Sequence, residues 1–285
     1  MSAGPTLELL RFAAEDRVPL NALYYSPEAP AKSLVILVPG LSGPVLGSAH
    51  DYRPLAAEVT GGGYALLLLN MRSANTFANS TFEDSAKDIA AAVKHAKSIG
   101  ITDIALFGTS LGGPRVTYYM ANAPDPSVRV VGFLASIKSP YLEAQLRMDA
   151  ENRARLDAFL QKCRAMVASG QGGEGVTFHD WFPNRPMTLT AKSFLSYFGT
   201  LEDSNASTVK FGSKVTVPAV VIHGTKDEIA LPPNGQAIYD SLTAAPKREI
   251  VWVEGAAHYM TPGWIAETYA RIIAEWVAKN MPAPQ

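Results

Sequence analysis

The chain has 285 residues, of which 47% are hydrophobic and 18% are charged. Lysine and arginine together number 25 and aspartate and glutamate 26, so the formal net charge is −1. Proteins that bind nucleic acid need a basic surplus, and disordered chains are poor in apolar residues, so both classes are excluded. A small neutral molecule is therefore the expected ligand, and nucleic acid is not an expected partner.

Cys163 is the only cysteine, which excludes an internal disulfide framework and a zinc site built on cysteines. It lies on the apolar stripe of a predicted helix, so we expect a buried and unreactive thiol. The first residues lack the basic start and apolar run of a secretory signal, and no apolar run reaches the roughly 20 residues that a membrane span needs. These features predict a cytoplasmic protein that does not bind membranes, and they leave open whether it forms a homo-oligomer.

Apolar runs of strand length alternate with helical patterns along most of the chain. Two runs at 7–13 and 18–25 flank a polar turn and predict an antiparallel hairpin. Six later runs predict buried strands, at 33–38, 64–69, 103–107, 129–135, 217–222 and 249–253. Helices are predicted at 53–60, 82–99, 115–122, 234–242 and 264–279. This alternation predicts an α/β fold: a mostly parallel eight-stranded sheet with helices on both faces.

The alternation breaks once, between residues 141 and 212, where no buried strand is evident. Apolar residues at steps of three and four predict one helix there, at 156–167. We therefore predict a core made of residues 1–140 and 213–285, with a helical cap of residues 141–212 inserted after the sixth strand. The glycine-rich loop at 170–175 would let such a cap move.

The run Gly108-Thr109-Ser110-Leu111-Gly112 lies between a predicted strand and a predicted helix. A serine in this spacing is typical of a sharp strand-to-helix turn, with small residues two positions away on each side so that strand and helix approach closely. The start of the helix then directs free N–H groups at the serine. Ser110 is thus the candidate nucleophile, and an ordinary glycine-rich turn is the alternative.

A serine hydroxyl needs a base to accept its proton, and His258 is the favoured candidate among five histidines. It follows the last strand, at the sheet edge where open α/β folds build their sites. Asp227, in the loop after the preceding strand, is the favoured acid to orient it, and the adjacent Glu228 is the alternative. His223, at the end of that strand, is expected to be a packed histidine. The order Ser110, Asp227, His258 suits this kind of turn.

These runs resemble those of the α/β-hydrolase fold superfamily, in its serine esterase and lipase-like form. The matching residues are Gly108-Thr109-Ser110-Leu111-Gly112, Gly224-Thr225-Lys226-Asp227 and Gly255-Ala256-Ala257-His258, and Pro39-Gly40-Leu41-Ser42-Gly43 matches the oxyanion loop in position. Two features depart from the family. Pro39 stands where His often precedes the loop glycine, and Asn70-Met71-Arg72-Ser73 replaces the Asp-x-Arg-Gly run of many relatives.

The resemblance implies acyl transfer in two steps without a metal or organic cofactor. Ser110 would attack a carbonyl, His258 would take its proton and Asp227 would hold the histidine ring. The backbone N–H groups of Leu41 and Leu111 would form the oxyanion hole. A carboxylic ester of a neutral, fairly apolar small molecule is the favoured substrate. A lactonase, thioesterase, amidase, carbon–carbon bond hydrolase or acyltransferase would use the same triad, and a non-catalytic ligand-binding member of the fold is the alternative from another class.

The aromatic residues of the predicted cap are candidates for lining a substrate pocket. The alternative is that most of them form the cap's own core against the sheet. Arg115 and Lys138 fall near the same sheet edge, and we expect both to be solvated surface charges. The candidate pocket residues are Trp181, Phe182, Phe194, Tyr197 and Phe198.

Overall fold

The computed structural model describes residues 5–41, 52–181, 185–258 and 267–281. Its strands are β1 Thr6–Ala13, β2 Pro19–Ser26, β3 Ser33–Val38, β4 Ala65–Asn70, β5 Asp103–Thr109, β6 Val128–Leu134, β7 Gly175–Trp181, β8 Arg185–Thr190, β9 Ala219–Gly224 and β10 Arg248–Val253. Its helices are α1 Arg53–Gly61, α2 Ser73–Thr76, α3 Asp84–Ser98, α4 Gly112–Asn122, α5 Pro140–Arg147, α6 Ala150–Ala168, α7 Ala191–Phe198, α8 Thr208–Phe211, α9 Pro233–Ser241 and α10 Glu267–Asn280.

Eight strands form one sheet in the order β1-β2-β4-β3-β5-β6-β9-β10. The opening hairpin pairs antiparallel, both within itself and with β4, and every other neighbour in this sheet is parallel. The predicted fold class is therefore confirmed. The middle strands are continuous apolar runs because helices cover both of their faces.

Alternation along each strand divides the core into two layers. In β3, Val35 and Leu37 point to the layer that contains α1 and α10, whereas Leu34 and Ile36 point to the layer of α3, α4 and α9. This arrangement leaves the carboxyl ends of the parallel strands along one edge, where the loops after β3, β5, β9 and β10 lie together.

Residues 141–212, here called the insertion, lie between β6 and β9 and are not wholly helical. Besides α6 and α7 it contains β7 and β8, an antiparallel pair that the prediction of a helical cap lacked. The signal was a short alternation: Val176 and Phe178 are buried, whereas Thr177 faces outward and shares a 2.9 Å hydroxyl contact with Thr188. Two short strands give too few alternating positions to stand out from a loop.

The glycine-rich loop of the insertion is bonded at both ends. Gln171 donates its N–H to the carbonyl of Met166 at 2.8 Å, and Lys192 donates to Gly172 at 2.9 Å. The mobility predicted for this loop, and the division of the chain into core and cap, remain predictions. Among the described residues, no helix has both the length and the apolar character to span a membrane.

Candidate active site

Ser110 lies in the sharp turn between β5 and α4. Its backbone has φ of 51°, a left-handed conformation that costs a residue with a side chain roughly 1–2 kcal/mol. Neighbouring groups hold the turn on both sides: its N–H donates to the carbonyl of Leu134 at 2.9 Å, and its own carbonyl accepts the hydroxyl of Ser136 at 2.9 Å. The strained turn keeps the Ser110 side chain at the sheet edge, where it is half-buried.

Two glycines make this turn sterically possible. A Cβ atom on Gly108 would lie 2.3 Å from the carbonyl oxygen of Gly112, and one on Gly112 would lie 2.3 Å from the carbonyl oxygen of Val38. Both obstacles are backbone atoms, which cannot rotate away. The spacing predicted from the sequence therefore has a direct steric cause: strand and helix touch where the side chains would be.

Asp227 and His258 form a buried pair in the loops after β9 and β10. The Nδ1 of His258 lies 3.0 Å and 2.9 Å from the two carboxylate oxygens of Asp227. The same carboxylate accepts the N–H groups of Ile229 at 2.9 Å and Ala230 at 2.7 Å. Because Asp227 accepts from its own loop as well as from the ring, it fixes the direction in which the ring points.

Glu228, the alternative acid, has a different contact with the same histidine. Its side chain is exposed, and Oε2 accepts the main-chain N–H of His258 at 3.2 Å. The structure thus pairs the ring with Asp227 and the backbone with Glu228.

The loop after β3 passes directly beside Ser110. A Cβ atom on Gly40 would lie 3.1 Å from the Cβ and 3.6 Å from the Oγ of Ser110. Within the described part of the chain, the N–H groups of Leu41 and Leu111 donate to no acceptor. Their action as oxyanion donors on one oxygen remains a prediction.

The family model described as serine aminopeptidase, S33, matches residues 29–262. The chain belongs to this family. As an S33-family chain it is a hydrolase of the α/β-hydrolase superfamily, and the family name does not decide between an ester and a peptide substrate.

Solved structures of low sequence identity share the fold of this S33-family chain. A complex of DcsB with its substrate analogue has a TM-score of 0.73 at 14% identity, covering 96% of this chain and 99% of the other. Est1E of Butyrivibrio proteoclasticus, with bound ferulic acid, has a TM-score of 0.69 at 18% identity, covering 95% and 98%. A monoacylglycerol lipase of Paleococcus ferrophilus has 0.64 at 18%, covering 97% and 100%. No curated protein matches the chain significantly by sequence.

His223 contacts the loop that carries Asp227, here called the acid loop, in this S33-family chain. It is fully buried, and its Nε2 lies 2.7 Å from the carbonyl oxygen of Ala230. Because a carbonyl only accepts, the proton is on Nε2. Nδ1 has no partner within the described residues. Burial lowers the pKa of this histidine below its usual value. The predicted packing of His223 is confirmed, and its bond to the acid loop was missed.

Arg115 corrects an expectation, because it is fully buried and not a solvated surface charge. One guanidinium nitrogen donates to the carbonyls of Pro39 at 3.0 Å and Gly40 at 2.7 Å. The other donates to the carbonyl of Leu41 at 2.8 Å and to the hydroxyl of Ser73 at 3.1 Å. Lys138, the other expected surface charge, is half-buried.

Arg147, at the end of α5 in the insertion, makes the corresponding contact on the acid side. One of its guanidinium nitrogens donates to the carbonyls of Glu228 at 2.7 Å and Ile229 at 2.6 Å. Its Nε donates to Glu143 at 2.6 Å, and the other oxygen of that carboxylate accepts from Asn234 at 2.6 Å. The insertion is therefore bonded to the loop that carries Asp227. No sequence pattern indicates this contact, because its acceptors are main-chain atoms.

The three candidate pocket aromatics that the structure describes are packed. Phe194, Tyr197 and Phe198 are at most 1% exposed, in a cluster that also contains Phe82 and Leu111. Packing against the core is thus their observed role, as the alternative held, and contact with a substrate remains a prediction. The Trp181 side chain and Phe182 lie outside the described residues.

The thiol of Cys163 is fully buried, as predicted, and burial raises its pKa to about 11. Among the described His, Cys, Asp and Glu side chains, no group of three is placed to hold a metal ion.

Proposed function

We propose that this protein is a serine hydrolase that cleaves carboxylic esters of neutral, fairly apolar small molecules through an acyl-enzyme intermediate. The observation that carries the proposal is the buried Asp227–His258 pair, on the same sheet edge as the strained Ser110 turn. The Oγ of Ser110 attacks the ester carbonyl as its proton passes to Nε2 of His258. That proton then goes to the leaving alcohol, and water activated by the same nitrogen releases the acid.

The roles of the three side chains follow from their contacts. Because Nδ1 of His258 faces the Asp227 carboxylate at 2.9 Å, that nitrogen is the protonated one, and Nε2 is the nitrogen that acts as the base. The carboxylate stabilises the imidazolium that forms after proton transfer. The N–H groups of Leu41 and Leu111 bind the oxyanion of the tetrahedral intermediate.

Peptide cleavage makes a separate demand on the acidic side chains. An aminopeptidase needs a carboxylate for the ammonium of its substrate, and both carboxylate oxygens of Glu143 are already bonded within the protein. Those of Asp227 face His258. Glu228 is exposed and uses one oxygen for the His258 backbone, so it is the group that would serve an aminopeptidase. Cleavage of an aminoacyl bond is therefore the second candidate function.

One labelling experiment separates an enzyme from a ligand-binding protein. A fluorophosphonate probe is expected to label the wild type and a Ser98→Ala control, whose exposed serine ends α3, but not Ser110→Ala. Loss of turnover in Ser110→Ala without loss of the folded state supports the proposal. Equal labelling or turnover in Ser110→Ala contradicts it.

A substrate panel then identifies the bond that is cleaved. The panel contains p-nitrophenyl butyrate and octanoate, a feruloyl ester, a lactone, an acyl thioester, an anilide and aminoacyl β-naphthylamides. We expect the highest kcat/KM on the neutral esters. A higher value on aminoacyl β-naphthylamides, lost in Glu228→Gln, would assign the aminopeptidase function instead.

A further inference from the structure

Arg115 is a buried charge that donates to three main-chain carbonyls and to the hydroxyl of Ser73. It is 0% exposed, and among the described residues it forms no ion pair with a carboxylate, although the buried Asp88 interacts with its charge at longer range. Burying a guanidinium without a carboxylate partner is costly. Here the carbonyl dipoles of three successive residues, Pro39, Gly40 and Leu41, take that place. Because the bonds reach three successive carbonyls, we expect them to fix the conformation of the loop at 39–41.

The planar peptide between Gly40 and Leu41 relates the contact with Arg115 to the direction of the Leu41 N–H. In a trans peptide the C=O of one residue and the N–H of the next point in opposite directions. The C=O of Gly40 points at the guanidinium at 2.7 Å, so the N–H of Leu41 points away from Arg115. Gly40 also lies next to the nucleophile, since a Cβ atom on it would be 3.6 Å from the Oγ of Ser110. Arg115 therefore turns the Leu41 N–H while holding the loop against the nucleophile.

We propose that Arg115 is a positioning residue for the oxyanion hole: it holds the loop at 39–41 so that the Leu41 N–H meets the oxyanion formed by attack of Ser110. This inference rests on the proposed function. Arg115 itself touches neither substrate nor reacting atoms. Its planar fork reaches three carbonyls at once, which the single ammonium of a lysine does not reproduce.

The proposal predicts a specific kinetic pattern. The Leu41 N–H is needed most when negative charge develops on the substrate oxygen, so a loop out of place lowers kcat and leaves KM nearly unchanged. Loss of one oxyanion donor typically lowers kcat by about 10²–10³-fold. Affinity for an arylboronic acid, which forms a tetrahedral adduct with the serine, falls in parallel.

The test compares Arg115→Met and Arg115→Lys with Arg129→Met, which removes a half-exposed arginine of β6 that pairs with Asp103 of β5. Each variant is assayed for kcat, KM, phenylboronic acid affinity and thermal unfolding on the best ester of the panel. We expect kcat and boronate affinity to fall by about 100-fold in Arg115→Met and by about 10-fold in Arg115→Lys. Arg129→Met should match the wild type.

Two outcomes overturn the inference: kcat within threefold of the wild type, or a rise in KM at constant kcat. If Arg115→Met does not fold, Arg115→Lys decides by the same criteria. The proposed function fails separately, through turnover that persists in Ser110→Ala. A labelled, active wild type with a fully active Arg115→Met therefore rejects the role of Arg115 alone.

Discussion

The main-chain N–H of His258 donates to the carboxylate of Glu228 at 3.2 Å, while the ring of the same histidine faces Asp227. Two adjacent acids thus hold one histidine by different atoms. Only the contact with the ring fixes the tautomer that a base requires.

Replacement of the two acids should therefore have unequal effects. Asp227→Asn is expected to lower kcat by about 10⁴-fold, because an amide does not stabilise the imidazolium and selects the wrong tautomer. Glu228→Gln should keep kcat within about tenfold, because the amide oxygen still accepts the His258 N–H. Steady-state kinetics on one ester measures both. A larger loss in Glu228→Gln would show that Glu228 is the orienting acid.

The stability of the fold should depend on the protonation of His223. The ordinary pKa of this histidine is 6.5, and burial lowers the pKa in the folded state. Below pH 6.5 the unfolded chain therefore binds a proton at this residue that the folded chain does not bind. The free energy of unfolding should then fall as the pH falls from 6.5 towards the lower folded pKa, by at most about 1.4 kcal/mol per pH unit.

His223→Gln keeps a donor for the Ala230 carbonyl and does not titrate, so its stability should depend less on pH over that interval. Urea unfolding between pH 5 and 8 measures the slope. His179→Gln, at an exposed position in β7, is the matched control and should behave as the wild type. An identical slope in His223→Gln and the wild type would assign the acid sensitivity to other groups.

The glycines of the Ser110 turn should not tolerate a methyl group. In Gly112→Ala the added atom meets the carbonyls of Val38 and Pro39 at 2.3 Å and 2.9 Å, so we expect a loss of about 1–3 kcal/mol in the free energy of unfolding. In Gly61→Ala, at the end of α1, the added atom meets nothing within 4 Å. That variant should gain up to about 1 kcal/mol. Equal stabilities by chemical denaturation would contradict the steric account of this turn.

Arg147 should couple the insertion to catalysis. Arg147→Met removes the donors that hold the carbonyls of Glu228 and Ile229, so Asp227 and with it the His258 ring lose part of their support. We expect kcat to fall by about 10- to 100-fold. The control is Arg164→Met, because that arginine pairs with Asp203 inside the insertion. Equal kcat values for the two variants would show that the insertion does not support the acid loop.

Much of the fold could be predicted because it depends on hydrophobic pattern. The buried strands are continuous apolar runs. The glycines at 108 and 112 mark the turn at Ser110, because a Cβ atom at either position would collide with backbone atoms. Sheet order was not predictable residue by residue, because pairing between strands leaves no mark on a single sequence.

The residues that were missed share a physical reason. Arg115 and Arg147 bind main-chain carbonyls, which every residue has, so no partner residue type reveals them. A charge in a sequence is therefore assigned to solvent by default. The β7–β8 pair was missed because each strand is short and only one face of it is buried.

Arg115, which is buried, and Arg147, which is half-buried, bind the main-chain carbonyls of the site loops, so the side chains of those loops can be changed. At Leu41 and Ile229 the bonds of the arginines end on carbonyl oxygens, which any substituted residue would still supply. Directed evolution of these positions should therefore yield variants that differ in substrate preference yet keep the same loop conformations. We therefore expect the side chains at these positions to be replaceable while the main-chain bonds that position the loops persist.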